Sequence, residues 1–309
     1  MKRLLIGYDG SECAGEALDD LRYAGLPGDL DVKVLTVADA WLPPLSEKLE
    51  PVYPDLEGKA VRRARANALQ ALKQAKEIAQ TGSTELRDIF PKWRIEALAV
   101  ADSPAWAIVR TARQWHADLI VVGSHGRSAL EKLFLGSVAQ KIAAEAHCSV
   151  RVGRPRNNRP RHQFRVFIAV DGSADSEAAI RAVLNRRWRF NAEFKLVTVI
   201  DHRLQSAVAW PSAYADQWVS QHDKEAKEWA CRMLEHHAKR LHDAGLNVET
   251  HIYDGDPKQN LLGAAQELET DCIFIGAHGL HHAGQLSLGT VATAVTARAH
   301  CSVEIVRAG

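Results

Sequence analysis

Glycines at a fixed spacing occur twice in the chain, and they are the residues whose pattern most strongly indicates chemistry. Each copy has three glycines separated by two and nine residues, followed at once by a hydroxyl residue. The two copies consist of Gly123, Gly126, Gly136 and Ser137, and of Gly276, Gly279, Gly289 and Thr290. One copy alone is typical of an ordinary turn and helix start. Two copies in register, each after an apolar run, favour a binding site.

The spacing suits a phosphate cradle. Gly126 is expected to turn the backbone with positive φ and to lie close to a ligand. The hydroxyl of Ser137 is expected to cap a helix that begins at Val138. Backbone amides at that helix start, together with the positive end of the helix dipole, attract phosphate. Thr290 and Val291 are expected to do the same in the second copy.

Asp9 and Asp171 end the first apolar run of each half. In a doubly wound sheet the ligand crevice opens at this point, so a carboxylate there can accept a ribose hydroxyl or lie near a phosphate-bound cation. The alternative role is a helix N-cap for the segment that follows. Both roles are compatible.

The loops between the second and third glycines differ in charge. Arg127 and Lys132 lie in the first loop, whereas residues 280–288 contain neither Arg nor Lys. A charge-assisted contact to phosphate contributes about 1.5–3 kcal/mol. We therefore expect the first site to be the tighter one, unless Arg127 is simply solvated.

Histidines and cysteines give no metal signal. His278, His281 and His282 lie within five residues, but no acidic or thiol partner is near them in sequence, so a polar loop is the better interpretation than a zinc site. The five cysteines form no C-x-x-C pair and are odd in number, which favours reduced structural thiols. A redox role stays open as the alternative, because Cys13 is expected near a helix start, where thiolates are favoured.

The chain is an internal repeat. The segments starting at Asp118 and Asp271, and those starting at Ala146 and Ala299, are offset by 153 positions (271 − 118 and 299 − 146). Near the start of each half the offset is 162, so the first half has nine additional residues after its second strand; the Pro-rich stretch 41–54 is expected to hold some of them. A basic, Pro-containing segment joins the halves. We predict domains at 1–153 and 164–309 with a linker at 154–163.

Each half alternates short apolar runs with amphipathic ones. Strands are predicted near 3–9, 32–38, 93–99, 118–123 and 149–152, and near 165–171, 193–200, 247–253, 271–276 and 302–306. Helices are predicted near 13–24, 58–80, 104–116 and 137–146, and near 175–188, 215–243, 257–269 and 290–299. Strands that are apolar on both faces indicate a parallel sheet between helical layers. The fold class is therefore α/β, as two tandem doubly wound, five-stranded, Rossmann-like parallel-sheet domains.

Composition excludes several classes of protein. The formal net charge is +1, which argues against a surface for unspecific nucleic-acid binding, so nucleic acid is not expected as a partner. No apolar stretch is long enough to cross a bilayer, so no membrane partner is expected. The apolar run at the N-terminus stops at Tyr8 and Asp9, too early for an export signal, so a cytoplasmic location is expected.

The chain resembles the universal stress protein family in its two-domain form. The resemblance covers nearly all of both halves. It includes D-G-S after the first strand, D-S-P or G-D-P before the third helix, the glycine motif, and the closing H-C-S-V. It implies a fold like that of the adenine nucleotide alpha hydrolases, with ATP, and Mg²⁺ as its companion ion, as the ligand. The nucleotide-binding roles then fall on Asp9, Val37, Gly123, Gly126, Arg127, Gly136, Ser137 and Val138, and on Asp171, Val199, Gly276, Gly279, Gly289, Thr290 and Val291.

The same resemblance implies a regulator of the stress response whose two domains pair through their last strands. Whether the two-domain chain also forms a homodimer is left undecided by the sequence. The alternatives are a slow ATPase and a tandem scaffold that binds another small ligand. No P-loop lysine, paired carboxylates or G-x-S-x-G elbow is found, so no catalytic residue is predicted.

Overall fold

The computed structural model describes residues 1–40, 54–126, 135–156, 163–188, 192–201, 215–280 and 287–308; the side chains of 54–60 and 215–223 lie outside this description. The chain forms two compact units. The first contains most of residues 1–150, and the second contains the rest together with Asp20–Leu26. The predicted domain boundaries, taken from the repeat, stay a prediction.

The first half alternates strands and helices. Its strands are β1 (Arg3–Gly7), β2 (Asp31–Ala38), β3 (Arg94–Ala101), β4 (Leu119–Gly123) and β5 (Ser149–Gly153). Its helices are α1 (Glu12–Asp20), α2 (Pro54–Ile89), α3 (Pro104–Trp115) and α4 (Ser137–Glu145), with a short 3-10 helix at Leu21–Tyr23. β1 pairs in parallel with both β2 and β4, and β2 pairs with β3. The strand order in the sheet is therefore β3-β2-β1-β4: β2 and β3 lie on one side of β1, and β4 lies on the other side. Folds of this kind open a crevice between β1 and β4, where the order reverses.

The second half repeats this plan. Its strands are β6 (Arg165–Ala169), β7 (Glu193–Ile200), β8 (Asn247–Asp254), β9 (Cys272–Gly276) and β10 (Ser302–Val306). Its helices are α5 (Ala174–Leu184), α6 (Ala215–Asp243), α7 (Pro257–Glu267) and α8 (Thr290–Arg298). β6 pairs in parallel with β7 and β9, β7 with β8, and β9 with β10. The predicted α/β class with tandem parallel sheets is confirmed.

Buried strands explain why the apolar runs lack alternation. In the second unit, side chains from β6, β7 and β9 form one core with residues of α5 and α6, including Phe194, Leu234 and Phe274. Both faces of these strands are covered, so both faces must be apolar. This packing fixes where the strands end, and it therefore fixes the position of the loops that follow them.

Most of the additional residues of the first half lie in a helix. α2 has 36 residues and its counterpart α6 has 29, so the helix accounts for seven of the nine. Between strand and helix the first half has 15 residues (39–53) and the second half 14 (201–214), so the span with the Pro-rich stretch accounts for one of the nine. The expectation that this stretch holds some of them is met only to that extent. Pro54 is the first residue of α2. A proline is tolerated at that position because its missing N–H would be unbonded anyway.

The second unit also buries an ion cluster. The Arg151 guanidinium is fully buried; its Nε lies 2.6 Å from Asp20 Oδ2, and its Nη1 lies 3.1 Å from Glu304 Oε2. Arg186 pairs with the other carboxylate oxygen of Glu304 and donates to the carbonyl of Ala24. Burial opposes the charge on Arg151, but Asp20 and the neighbouring groups outweigh it and raise the pKa of Arg151 well above its usual value.

No helix of the described ranges is both long and apolar enough to cross a bilayer.

Candidate functional site

A cavity of about 440 Å³ opens in the second unit where β6, β7 and β9 end. This is the point at which the strand order reverses, and the volume lies in the range of small-molecule sites. The cavity brings together every second-half residue that the sequence singles out for binding: Asp171, Val199, Gly276, Gly279, Gly289, Thr290 and Val291. One edge of one sheet therefore positions the whole predicted set.

Asp171 reaches the cavity through a tight turn. Its Oδ1 accepts a hydrogen bond of 3.0 Å from the backbone N–H of Ser173. Gly172, between them, has φ of 82°, a conformation that favours glycine. The Ser173 hydroxyl in turn accepts from the N–H of Ser176 and caps α5. The N-cap role therefore falls on Ser173, and Asp171 keeps its second oxygen on the cavity side, toward Gly279.

Three glycines line the cavity because side chains would not fit. A Cβ at Gly276 would lie 2.9 Å from backbone atoms of Asp175 and Ser176, and one at Gly289 would lie 3.0 Å from the Ala277 carbonyl oxygen. A Cβ at Gly279 would lie 2.9 Å from Asp171 Oδ2. Because these three residues have no side chain, the loop backbone can lie close to the strand ends.

His278, directly before the second glycine, contacts both α5 and the residue Ser287 near the third glycine. Its backbone N–H donates to Asp175 Oδ2 at 2.9 Å, and its Nδ1 lies 2.8 Å from the same oxygen. Its Nε2 lies 2.8 Å from the carbonyl oxygen of Ser287. Both ring nitrogens therefore face acceptors, and the imidazole links α5 to the far end of the loop. The role that these contacts indicate for His278 is structural.

The helix that follows each loop begins without a side-chain cap. α8 begins at Thr290, and its N-cap is Gly289; α4 begins at Ser137, and its N-cap is Gly136. The expectation that Ser137 caps a helix beginning at Val138 is therefore wrong by one residue. Because glycine has no side chain to bond them, the first backbone amides of α4 and α8 face the loop. Such amides and the helix dipole favour an anion.

The first site has the same backbone plan. Asp9 Oδ1 accepts from Ser11 N–H at 2.9 Å, with Gly10 at φ of 74° between them. Gly123 ends β4, and a Cβ there would lie 2.7 Å from the Cys13 carbonyl oxygen. A Cβ on Gly126 would lie 3.1 Å from Asp9 Oδ2.

Other predicted residues of the first site follow this plan. Val37 lies near the end of β2, and Val138 in the first turn of α4 is 38% exposed. The positive φ expected at Gly126 is wrong: in the turn after β1 the left-handed residue is Gly10, and Gly126 is needed for the close approach of the Asp9 carboxylate instead. Arg127 and Lys132 lie outside the described residues, so the prediction that the first site is tighter stays a prediction.

Two features of the second cavity were missed in the sequence. Trp229 of α6, 44% exposed, lines the cavity and covers Gly172, where a Cβ would lie 2.9 Å from the indole. Lys258 of α7 lines it from another side. Neither residue is in the glycine loop, so the loop pattern alone does not show them. A signal for Lys258 was present: it directly follows the G-D-P motif, where the first half has alanine.

Within the described ranges, no group of three or more His, Cys, Asp and Glu side chains is arranged to hold a metal ion. His281 and His282 lie outside these ranges.

A doubly wound α/β fold in which the strand order reverses at the edge where the cavity opens defines the class of Rossmann-like α/β proteins. The model of the universal stress protein family matches residues 1–154 and again 164–307. The chain belongs to the universal stress protein family, and carries two copies of its domain.

Relatives and solved structures agree with this membership. A putative universal stress protein of Staphylococcus haemolyticus is 29% identical over 144 residues, which is 46% of this chain and 83% of the relative. A universal stress protein of Archaeoglobus fulgidus has a TM-score of 0.62 at 20% identity, covering 99% of this chain and 98% of its own. A putative universal stress protein of Pseudomonas aeruginosa has a TM-score of 0.60 at 15% identity, covering 99% and 93%. At these identities the two structures show the fold.

Proposed function

We propose that the chain binds an adenine nucleotide, ATP with Mg²⁺, at the second-unit cavity and at the equivalent position of the first half. The observation that carries the proposal is that one cavity of about 440 Å³ contains all seven second-half residues predicted for binding. The proposed role is a regulatory binding protein of the stress response, in which nucleotide occupancy changes the preference for a partner.

The chemistry of the wall fits such a ligand. Uncapped amides at the start of α8 suit phosphate oxygens. The carboxylates of Asp171 and Asp201 line the cavity, and carboxylate oxygen is the ligand that Mg²⁺ prefers. Val199 and Leu261 supply apolar surface for a base. Phosphate, ribose and base thus each meet a surface of suitable chemistry.

Titration calorimetry with ATP, with and without Mg²⁺, tests the proposal. We expect the parent chain to bind two equivalents. Gly279→Val should remove one of them, because its side chain would meet Asp171 and fill the cavity. The double variant Gly126→Val, Gly136→Val should remove the other. Gly263→Val is the matched control, because no atom outside its own helix lies within 4 Å of a Cβ at that position.

The outcomes separate the alternatives. Binding with slow release of inorganic phosphate would identify an ATPase. A parent chain that binds no adenine nucleotide would refute the proposal, and a different metabolite extracted by heat from the purified protein would then name the ligand of a scaffold. Equal affinities at the two sites would contradict the expectation that the first site is tighter.

A further inference from the structure

The second cavity takes its positive charge from a helix and not from its glycine loop. Residues 280–288 contain no Arg or Lys. Among the described residues that line the cavity, Lys258 is the only Lys or Arg. It lies in the first turn of α7, directly after Pro257.

Local structure holds the backbone of Lys258 in place. The Asp256 carboxylate accepts the Lys258 backbone N–H at 2.9 Å and so caps α7. Because Asp256 satisfies this amide, the start of α7 is already neutralised and is no anion site of its own. α7 packs against α8, whose first residue Thr290 lines the same cavity. The ammonium group is therefore the cationic element that α7 offers to the ligand.

The ammonium of Lys258 has no carboxylate partner among the described residues. The contrast within the same unit is Lys195, whose Nζ lies 2.6 Å from Glu249. A half-buried lysine that lines a cavity without an ion pair is placed to receive an anion, because its charge is otherwise balanced only by solvent.

The first half has no counterpart to this lysine. Position 258 corresponds to 105 by the offset of 153 (258 − 105), and the residue there is Ala105, which is 4% exposed. The first half instead has Arg127 and Lys132 in its loop. Each half thus has basic residues at a position where the other has none.

We propose that Lys258 binds the phosphate of the nucleotide in the second site and makes that site select phosphorylated nucleotides over nucleosides. This inference rests on the proposed function. It assigns the phosphate-binding charge of the second site to the first turn of α7, whereas the basic residues predicted for the first site lie in sequence between its second and third glycines. It also means that the absence of basic residues from 280–288 does not leave the second site without a cation.

Calorimetry on the full chain in the Gly126→Val, Gly136→Val background tests the second site alone. ATP, AMP and adenosine are titrated into this parent and into Lys258→Met, which keeps much of the stem and removes the charge. We expect ATP and AMP to lose about tenfold to a hundredfold in affinity and adenosine to stay within about twofold. Raising the salt concentration should shrink the difference. Lys258→Arg should bind like the parent.

Two controls complete the design. Lys239→Ala makes the same change in net charge, but Lys239 is exposed and outside this cavity, so its ATP affinity should stay within about twofold. Lys258→Ala, the residue of the first half, should reproduce Lys258→Met. If all three ligands weaken equally in Lys258→Met, or if ATP does not weaken, the assignment of Lys258 is refuted while nucleotide binding stands. If the parent background and the wild-type chain bind no adenine nucleotide, both proposals fail together.

Discussion

Removing Glu304 from the buried ion cluster should destabilise the second unit strongly. Glu304 is 1% exposed and bonds two guanidinium groups. In Glu304→Met, Arg151 keeps Asp20, but Arg186 is left with a carbonyl oxygen and no carboxylate among the described residues. Breaking a buried pair in this way costs about 3–5 kcal/mol in the free energy of unfolding.

The double variant Glu304→Met, Arg186→Met should recover part of this loss. Replacing both members of a buried pair by apolar residues is often close to neutral, because no charge is left without a partner. The Ala24 carbonyl still loses its donor, which costs about 1–3 kcal/mol. We therefore expect the double variant to be more stable than Glu304→Met by about 2 kcal/mol.

Urea unfolding followed by circular dichroism measures these differences. Glu249→Met is the matched control: Glu249 pairs with Lys195, but its side chain is 59% exposed, so the loss should be about 1 kcal/mol or less. The single variant Arg186→Met completes the cycle. A double variant that loses as much stability as Glu304→Met and Arg186→Met added together would refute the reasoning, because it would show that the two residues contribute independently.

Three further results are expected. Burial lowers the pKa of His237 in the folded chain, although Glu177 opposes the shift, so as the pH falls the unfolded chain binds this proton before the folded chain does. The contribution of His237 to the free energy of unfolding should therefore be complete above pH 6.5 and decrease as the pH falls below that value. His237→Gln should flatten the pH dependence of stability measured by urea unfolding over that range. Burial raises the pKa of Cys272 to about 12 and that of Cys301 well above its usual value, so both thiols should resist iodoacetamide near pH 8.5 in the folded chain and react in urea, as peptide mapping would show; reaction in the folded chain would contradict their burial. Gly172→Ala should displace the Trp229 indole, since a Cβ lies 2.9 Å from it, and should weaken ATP binding by calorimetry at the second site; an unchanged affinity would exclude Trp229 from the binding wall.

The sequence predicts the fold well because the repeat doubles each signal. The apolar runs of β4 and β9 end in a glycine, and those of β1 and β6 lead to an aspartate two residues later, which marks the strand ends at the same place in both halves. The second-half residues singled out on this basis all line one cavity, because parallel strands end at one edge. Sequence spacing is enough where neighbouring strands position the residues.

Contacts that depend on packing between distant elements escape the same reasoning. Lys258 and Trp229 reach the cavity from α7 and α6, and Glu304 meets Arg186 across 118 positions. Local backbone geometry also escapes it. The glycine motif favoured a left-handed Gly126, whereas the left-handed residue beside Asp9 is Gly10, and Gly126 instead makes room for the Asp9 carboxylate.

Asp175 connects the cavity to the segment after the last strand. Its Oδ2 holds the backbone and ring of His278, and its Oδ1 accepts the backbone N–H of Ala308 at 2.6 Å. Opening either contact leaves a buried carboxylate with fewer donors, so the loop and this segment stabilise each other. Such coupling is reciprocal. We therefore expect a ligand that stabilises the position of His278 to stabilise the contact at Ala308 as well, and a change that breaks the contact at Ala308 to lower the affinity of the cavity.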